Sequence, residues 1–135
     1  MKRLSTVALL TLLGAAGMFN GLSLASDPTG RSLGLNVEML PSWHTWDYRI
    51  SGVFVLIFLG LAPLVCAAAV LVDNPEAAVF VACIGSITVG WVLWQIVILD
   101  IYAPRAQIPL AVLGVALFTL AAGELRKRSH DRNWR

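Results

Sequence analysis

Four long apolar runs constrain this chain more than any other feature of its sequence. They cover residues 4–25, 50–72, 77–99 and 108–125. An α-helix rises 1.5 Å per residue, so about 20 apolar residues cross a hydrocarbon core about 30 Å thick. The sequence therefore predicts an all-α fold, a transmembrane four-helix bundle that residues 1–135 form as a single domain.

The composition agrees with a membrane protein. Hydrophobic residues make up 58% of the chain and charged residues 13%, with a mean hydropathy of +0.76. A soluble globular domain has about 25% charged residues and fewer apolar ones. We therefore expect an integral membrane protein.

The basic residues predict the topology. Of the ten Lys and Arg residues, two precede the first run and five lie in the basic tail 126–135. The remaining three lie in the predicted outer connections: Arg31, Arg49 and Arg105. By the positive-inside rule, we expect a multi-pass protein of the plasma membrane with both termini in the cytoplasm. The expected partner of the basic tail is anionic lipid of the bilayer, and no nucleic acid is expected.

The first run has a second interpretation. Lys2 and Arg3, the apolar stretch 7–18 and the small residues Ser23 and Ala25 are also typical of a cleavable signal peptide. The apolar character continues to Leu24, longer than such a peptide needs, which favours a retained span.

The polar, aromatic-rich segment 26–49 predicts an ordered extracytoplasmic loop, called here the outer cap. Asp27 to Gly30 has turn chemistry, because Asp accepts from nearby backbone N–H groups, Pro presets φ and Gly admits positive φ. Asn36 to Pro41 reads as one short helix that Asn36 caps. Aromatic residues then mark the start of the second span as an interfacial belt: Trp43, Trp46 and Tyr48.

These motifs resemble a family of small, uncharacterised four-span membrane proteins common in actinobacteria. The shared features are an Asp-Pro-x-Gly-x-x-Leu-Gly pattern at residues 27–34, the aromatic and Asp-Tyr run at 46–48, Ile50-Ser51-Gly52, and Trp91 or Trp94 with Gln95. Where that family has Pro before the glycine, this chain has Ser51. The resemblance implies a fold and no activity.

The sequence predicts no catalytic residue, cofactor or metal site. Cys66 and Cys83 lack the CxxC spacing of a redox or metal site, so we expect them to pack as small apolar side chains. The first run lacks the glutamate of small multidrug exporters. An external metal or proton site of Glu38, His44 and Asp47 is a weaker alternative, since the outer cap holds one histidine.

Two functional hypotheses follow, and an enzyme using His44 and Asp47 ranks below both. In the leading one, the protein is a non-enzymatic accessory or scaffold subunit that binds a membrane protein partner, or itself, through small-residue helix faces: Gly17 and Gly21, and Ala82, Ser86 and Gly90. In the alternative, it is a carrier or binding protein that holds a small or lipid-like molecule under the outer cap. The candidate contact residues are Asn20, Asp27, Asp47, Trp91 and Gln95.

Overall fold

The computed structural model describes residues 2–43 and 47–134, and they form four long helices. These are α1 (Arg3–Ser26), α2 (Arg49–Leu71), α3 (Ala77–Val97) and α4 (Pro104–Asn133). Each is long and apolar enough to cross a membrane. The predicted all-α class and the four spans are therefore confirmed, and the chain is a multi-pass integral membrane protein.

The fourth helix is longer at both ends than predicted. It begins at Pro104, whose missing N–H is no loss in a first turn, and continues through the basic tail to Asn133. In the tail, Arg128 Nε donates to Glu124 Oε1 at 3.1 Å, an i, i+4 pair that supports the helix. The basic tail is therefore a helical extension of the span as far as Asn133.

The helices form a ring in which each contacts the two beside it. α1 packs along α2, α2 contacts α3, α3 packs along α4, and α4 contacts α1, while no backbone approach joins the diagonal pairs among the described residues. Successive helices run antiparallel. One end of the bundle, called here the terminal end, holds both described termini and the turn 72–76. The other end, called the cap end, holds the outer cap and the connection 98–103.

Glycines bring α1 and α2 into backbone contact. A Cβ on Gly17 would overlap the Leu59 carbonyl, and one on Gly21 would lie 2.5 Å from the Leu56 nitrogen. Glycines also bring α3 and α4 into close contact, because a Cβ on Gly85 of α3 would lie 2.7 Å from the Gly114 oxygen of α4. Gly17 and Gly21, predicted as helix-packing residues, thus contact α2 of their own chain, and neither is free to meet a second protein.

The second span changes helix type shortly before Pro63. A π-helical section, Val55–Leu61, lies between the α-helical parts Arg49–Phe54 and Ala62–Leu71 of α2. Pro63 has no N–H to donate to the Leu59 carbonyl four residues earlier. That carbonyl instead lies against Gly17 of α1, so the close contact with α1 covers the place where α2 lacks a backbone donor.

Buried apolar side chains form a separate cluster at each end of the bundle. At the terminal end all four helices contribute, with Leu10, Cys66, Val81 and Leu117 among the members. At the cap end the cluster consists of Leu24, Tyr48, Leu99 and Ile101. Both thiols are free; Cys66 packs in the core as expected, whereas Cys83 lies exposed on the outer side of α3.

The turn at the terminal end closes α2 with a Schellman motif. Asp73 has φ +55°, and the N–H of Asn74 donates to the Ala69 carbonyl at 3.0 Å. Asn74 Oδ1 accepts from the N–H of Glu76 at 2.9 Å, directly before α3 begins at Ala77. Arg3 pairs with Asp73 at 3.1 Å and also donates to the Leu71 carbonyl, which ties α1 to the end of α2.

The glycine contact can be tested by adding one methyl group. We expect Gly17→Ala to lower the free energy of unfolding by about 1–3 kcal/mol, because the clash is with backbone and no side-chain rotation relieves it. Gly123→Ala on α4 is the matched control, since an added Cβ there meets nothing within 4 Å. Reversible unfolding of both variants in mixed detergent micelles measures the difference, and equal stabilities would contradict this account of the packing.

Candidate functional site

The outer cap begins with a turn that the Asp27 carboxylate organises. The N–H of Gly30 donates to the Asp27 carbonyl at 3.0 Å, and Gly30 takes the left-handed conformation that favours glycine, at φ +76°. The Asp27 side chain accepts from the Thr29 hydroxyl at 2.5 Å and from the N–H of Ser32 at 3.2 Å. The Thr29 hydrogen bond is the main cause that lowers the pKa of Asp27 below its ordinary value.

Two short 3₁₀ helices, Arg31–Leu33 and Val37–Met39, complete the described part of the outer cap. The side-chain oxygen of Asn36 accepts from the N–H of Glu38 at 3.2 Å, so the predicted cap of the second helix is confirmed. Leucines from this segment point down onto the cap-end cluster: Leu33, Leu35 and Leu40.

Tyr48 holds the outer cap onto the bundle. Its hydroxyl donates to the Asn36 carbonyl at 2.9 Å, and its N–H donates to the Pro28 carbonyl at 2.9 Å. The residue is only 3% exposed, and this burial raises the pKa of its phenol. The sequence predicts Tyr48 as part of an aromatic belt and does not predict this anchoring role. The Asp-Tyr pair directly before the span is the only local sign of the role, and two residues are too short a motif to identify it.

A cavity of about 200 Å³ lies among the four helices, directly below the outer cap. Gly17, Leu24, Val55 and Leu110 are among its mainly apolar lining residues. Its polar side chains come from three helices: Asn20 of α1, Ser51 of α2, and Trp91 and Gln95 of α3. The described lining contains no Asp, Glu, Lys, Arg or His.

The polar groups of the cavity have free hydrogen-bonding capacity. Within residues 2–43 and 47–134, neither the Asn20 carboxamide nor the Ser51 hydroxyl has a hydrogen-bond partner. The Gln95 oxygen accepts from Gln107 Nε2 at a long 3.4 Å, and its own amide nitrogen has no acceptor in that part of the chain. The cavity therefore presents uncharged donors and acceptors on an apolar wall.

Gln107 holds the connection 98–103, which supplies Leu99, Ile101 and Ala103 to the cavity lining. It is 5% exposed and donates to the Ile101 carbonyl at 2.8 Å, while its side-chain oxygen accepts from the N–H of Ala103 at 3.0 Å. The sequence does not predict this role, because the fourth span was expected to begin at residue 108. A glutamine one turn after Pro104, where the helix begins, could have indicated a buried side chain that binds the preceding connection.

The five predicted contact residues divide into two groups. Asn20, Trp91 and Gln95 line the cavity, and Trp91 also stacks on Phe54 with ring centroids 4.5 Å apart. The two aspartates do not reach it: Asp47 accepts from the N–H of Arg49 at 3.0 Å at the start of α2, and Asp27 holds its turn. Both aspartates therefore have local structural roles.

The remaining predicted residues lie elsewhere. Ala82 is half-buried, and Ser86 and Gly90 are exposed on the outer side of α3. His44 and Trp46 lie outside the described residues, so the external metal or proton site is not described. In residues 2–43 and 47–134, no three metal-ligating side chains come together.

Comparison of the chain with protein families, curated proteins and solved structures found no match. The resemblance to four-span actinobacterial proteins accordingly stays a prediction.

The Tyr48 anchor can be tested with a pair of tyrosine variants. Tyr48→Phe removes the hydrogen bond to the Asn36 carbonyl, and we expect opening of the outer cap to become easier by about 1 kcal/mol. Tyr102→Phe is the control, because Tyr102 lies exposed in the other connection at the same end. Hydrogen exchange of amides 30–40 measures opening, and equal exchange in the two variants would remove Tyr48 from this role.

The Asp27 turn predicts a pH dependence. Because the folded pKa lies below the ordinary value of 3.8, the carboxylate stabilises the turn above that pH and loses this effect as pH falls through the folded pKa. We expect the Ser32 amide to exchange faster, relative to its intrinsic rate, below about pH 3.8, and Asp27→Asn to show weaker dependence. An unchanged profile in Asp27→Asn would assign the dependence to another group.

Proposed function

We propose that this protein is a non-enzymatic carrier or binding protein of the plasma membrane that holds a small uncharged molecule in the cavity below the outer cap. Both termini are cytoplasmic in this proposal, and the outer cap faces outward. One observation carries it: on a mainly apolar wall, the Asn20 carboxamide has no partner and the Gln95 amide nitrogen has no acceptor among the described residues.

Hydrogen bonding supports an occupant. The Asn20 and Gln95 side chains are half-buried, so an occupant that displaces water from them must replace the hydrogen bonds that water would make. Asn20 and Gln95 face space inside the bundle, so a molecule that enters the cavity is in a position to supply their missing hydrogen bonds. Concave, mainly apolar sites with a few convergent polar groups are typical of small-molecule binding.

The lack of charge indicates the chemical class of the molecule. A cation or anion inside a membrane requires a counter-charge or a large polar shell, because its transfer from water is costly. The described lining offers hydroxyl, indole and carboxamide groups and no ionic side chain. Alcohols, amides and similar neutral polar groups fit this lining.

The non-enzymatic part of the proposal rests on where the titratable groups lie. Acid–base catalysis needs a titratable side chain within hydrogen-bond reach of the reacting group. Asp47, one of the two carboxylates predicted to contact the ligand, accepts from the N–H of Arg49 and does not line the cavity. The phenol of Tyr48, which does line it, already donates to the Asn36 carbonyl.

The accessory-subunit hypothesis remains as the second candidate. It is favoured by the position of Ser86 and Gly90, which lie exposed on α3 with nothing within 4 Å of a Cβ added to Gly90. A small-residue face turned to lipid allows close approach of another helix. A membrane protein partner or a second copy of this chain would occupy that face.

Two cavity variants test the carrier proposal. In native mass spectrometry of protein extracted in nanodiscs from its own membrane, we expect the wild type to retain one small molecule. Asn20→Leu and Gln95→Leu should each weaken retention about fivefold, the effect of losing one neutral hydrogen bond.

The matched controls change neighbouring residues that face lipid. Phe19→Leu and Leu93→Ala alter side chains that are 68% and 53% exposed. They should leave retention unchanged. A wild-type protein without any retained molecule, isolated as a stable oligomer or with a second protein, would reject the carrier and favour the accessory subunit.

A further inference from the structure

We propose that the bound molecule is a single-chain, uncharged amphiphile whose polar group lies in the cavity and whose acyl chain lies in a groove between α2 and α3. This inference rests on the proposed function and adds the substrate class and the path by which the ligand reaches the site from the bilayer.

The groove has a volume of about 460 Å³ and lies on the lipid side of the α2–α3 contact, near the cap end. Its wall is almost entirely apolar, and it is formed mainly by Ile50, Phe54, Ile87, Gly90 and Trp94. Ile50, Gly90 and Trp94 are exposed. In the membrane this surface meets acyl chains directly.

The groove and the cavity share a wall. Ser51, Trp91 and Leu99 line both spaces. These side chains stand between the two spaces, and a ligand that occupies both passes beside the Trp91 indole, which stacks on Phe54 with ring centroids 4.5 Å apart. The shared wall carries one hydroxyl and one indole N–H, which suits a molecule that is polar at one end.

The two volumes favour a ligand that extends through both spaces. Pockets for drug-sized ligands measure about 300–1,000 Å³. The cavity, at about 200 Å³, is smaller than this range and holds only a compact polar group. With the adjoining groove the available volume falls within the range, and the mainly apolar wall of the groove suits a hydrocarbon chain.

The orientation agrees with a lipid of the leaflet at the cap end. Ser51 lies in the first turn of α2 and Gln95 in the last turn of α3, so the polar groups lie close to the membrane surface on that side. A lipid in this leaflet has its polar group at that level and its chain directed toward the mid-plane. The described residues of both linings include no ionic side chain to pair with a phosphate, which favours a neutral head such as a glycerol ester.

Gly90 provides the room for the chain and also the test. An added Cβ there meets nothing within 4 Å, so Gly90→Leu should fold while its side chain fills the groove. Val79→Leu, on an exposed position of the same helix away from the groove, is the matched control.

The experiment is photo-crosslinking in phosphatidylcholine nanodiscs. The probe is a monoacylglycerol with a diazirine in its acyl chain, and the control probe is a lysophosphatidylcholine with the same chain, both at one mole fraction. We expect the monoacylglycerol to label groove residues at least about fivefold more than the control probe. Gly90→Leu and Asn20→Leu should each reduce this labelling about fivefold, and Val79→Leu should not.

Three results overturn the inference. Equal groove labelling by both probes means that only bulk lipid covers the groove. Labelling that Gly90→Leu leaves unchanged places the chain elsewhere. A dimer in the native mass spectrum that Gly90→Leu dissociates, without groove labelling, makes a second copy of the chain the occupant.

Failure of this inference is distinguishable from failure of the proposed function. If the wild type retains a small molecule in an Asn20-dependent way but the groove is not labelled, the cavity binds a ligand of another class. If neither retention nor labelling is found, both proposals are wrong.

Discussion

The bundle depends on the direct backbone contact between α1 and α2. Inside a bilayer, apolar side chains gain little from leaving lipid, so helices associate through close packing and hydrogen bonds. Gly17 allows α1 to lie on the Leu59 carbonyl of α2, at the π-helical section where Pro63 removes a normal hydrogen bond. The same contact sets the rotation of α1 and therefore turns Asn20, three residues later, toward the interior of the ring.

The cavity exists because the two ends of the bundle are closed differently. At the terminal end, side chains from all four helices fill the interior. At the cap end, a loop covers the helices, and Tyr48 fastens that loop to the start of α2 with two hydrogen bonds. Gln107 holds the connection 98–103 in the same way. A partly open space remains between this cover and the packed core.

The proposed ligand chemistry follows from that space and its neighbour. The free hydrogen-bonding groups of Asn20 and Gln95 favour a neutral polar group, and the apolar groove beside Gly90 favours a chain. The groove lies next to the small-residue face for which an accessory role was the leading hypothesis. Lipid and a second protein are therefore alternative occupants of one surface. Gly90→Leu distinguishes them, because it reduces groove labelling if a lipid binds there and dissociates an oligomer if a second protein binds there.

The sequence by itself determined the all-α class, the number of spans and the local cap at Asn36, because spanning length and caps depend on residues close together in the chain. It also indicated three of the cavity residues, Asn20, Trp91 and Gln95, since polar groups in apolar runs are few. Only the tertiary structure decided that Asp27 and Asp47 turn to their own backbone and that Gly17 and Gly21 are covered by α2. It also decided that Tyr48 and Gln107 hold the two segments that cover the cavity. These outcomes depend on helix rotation and on contacts between distant segments, which no local pattern of residues specifies.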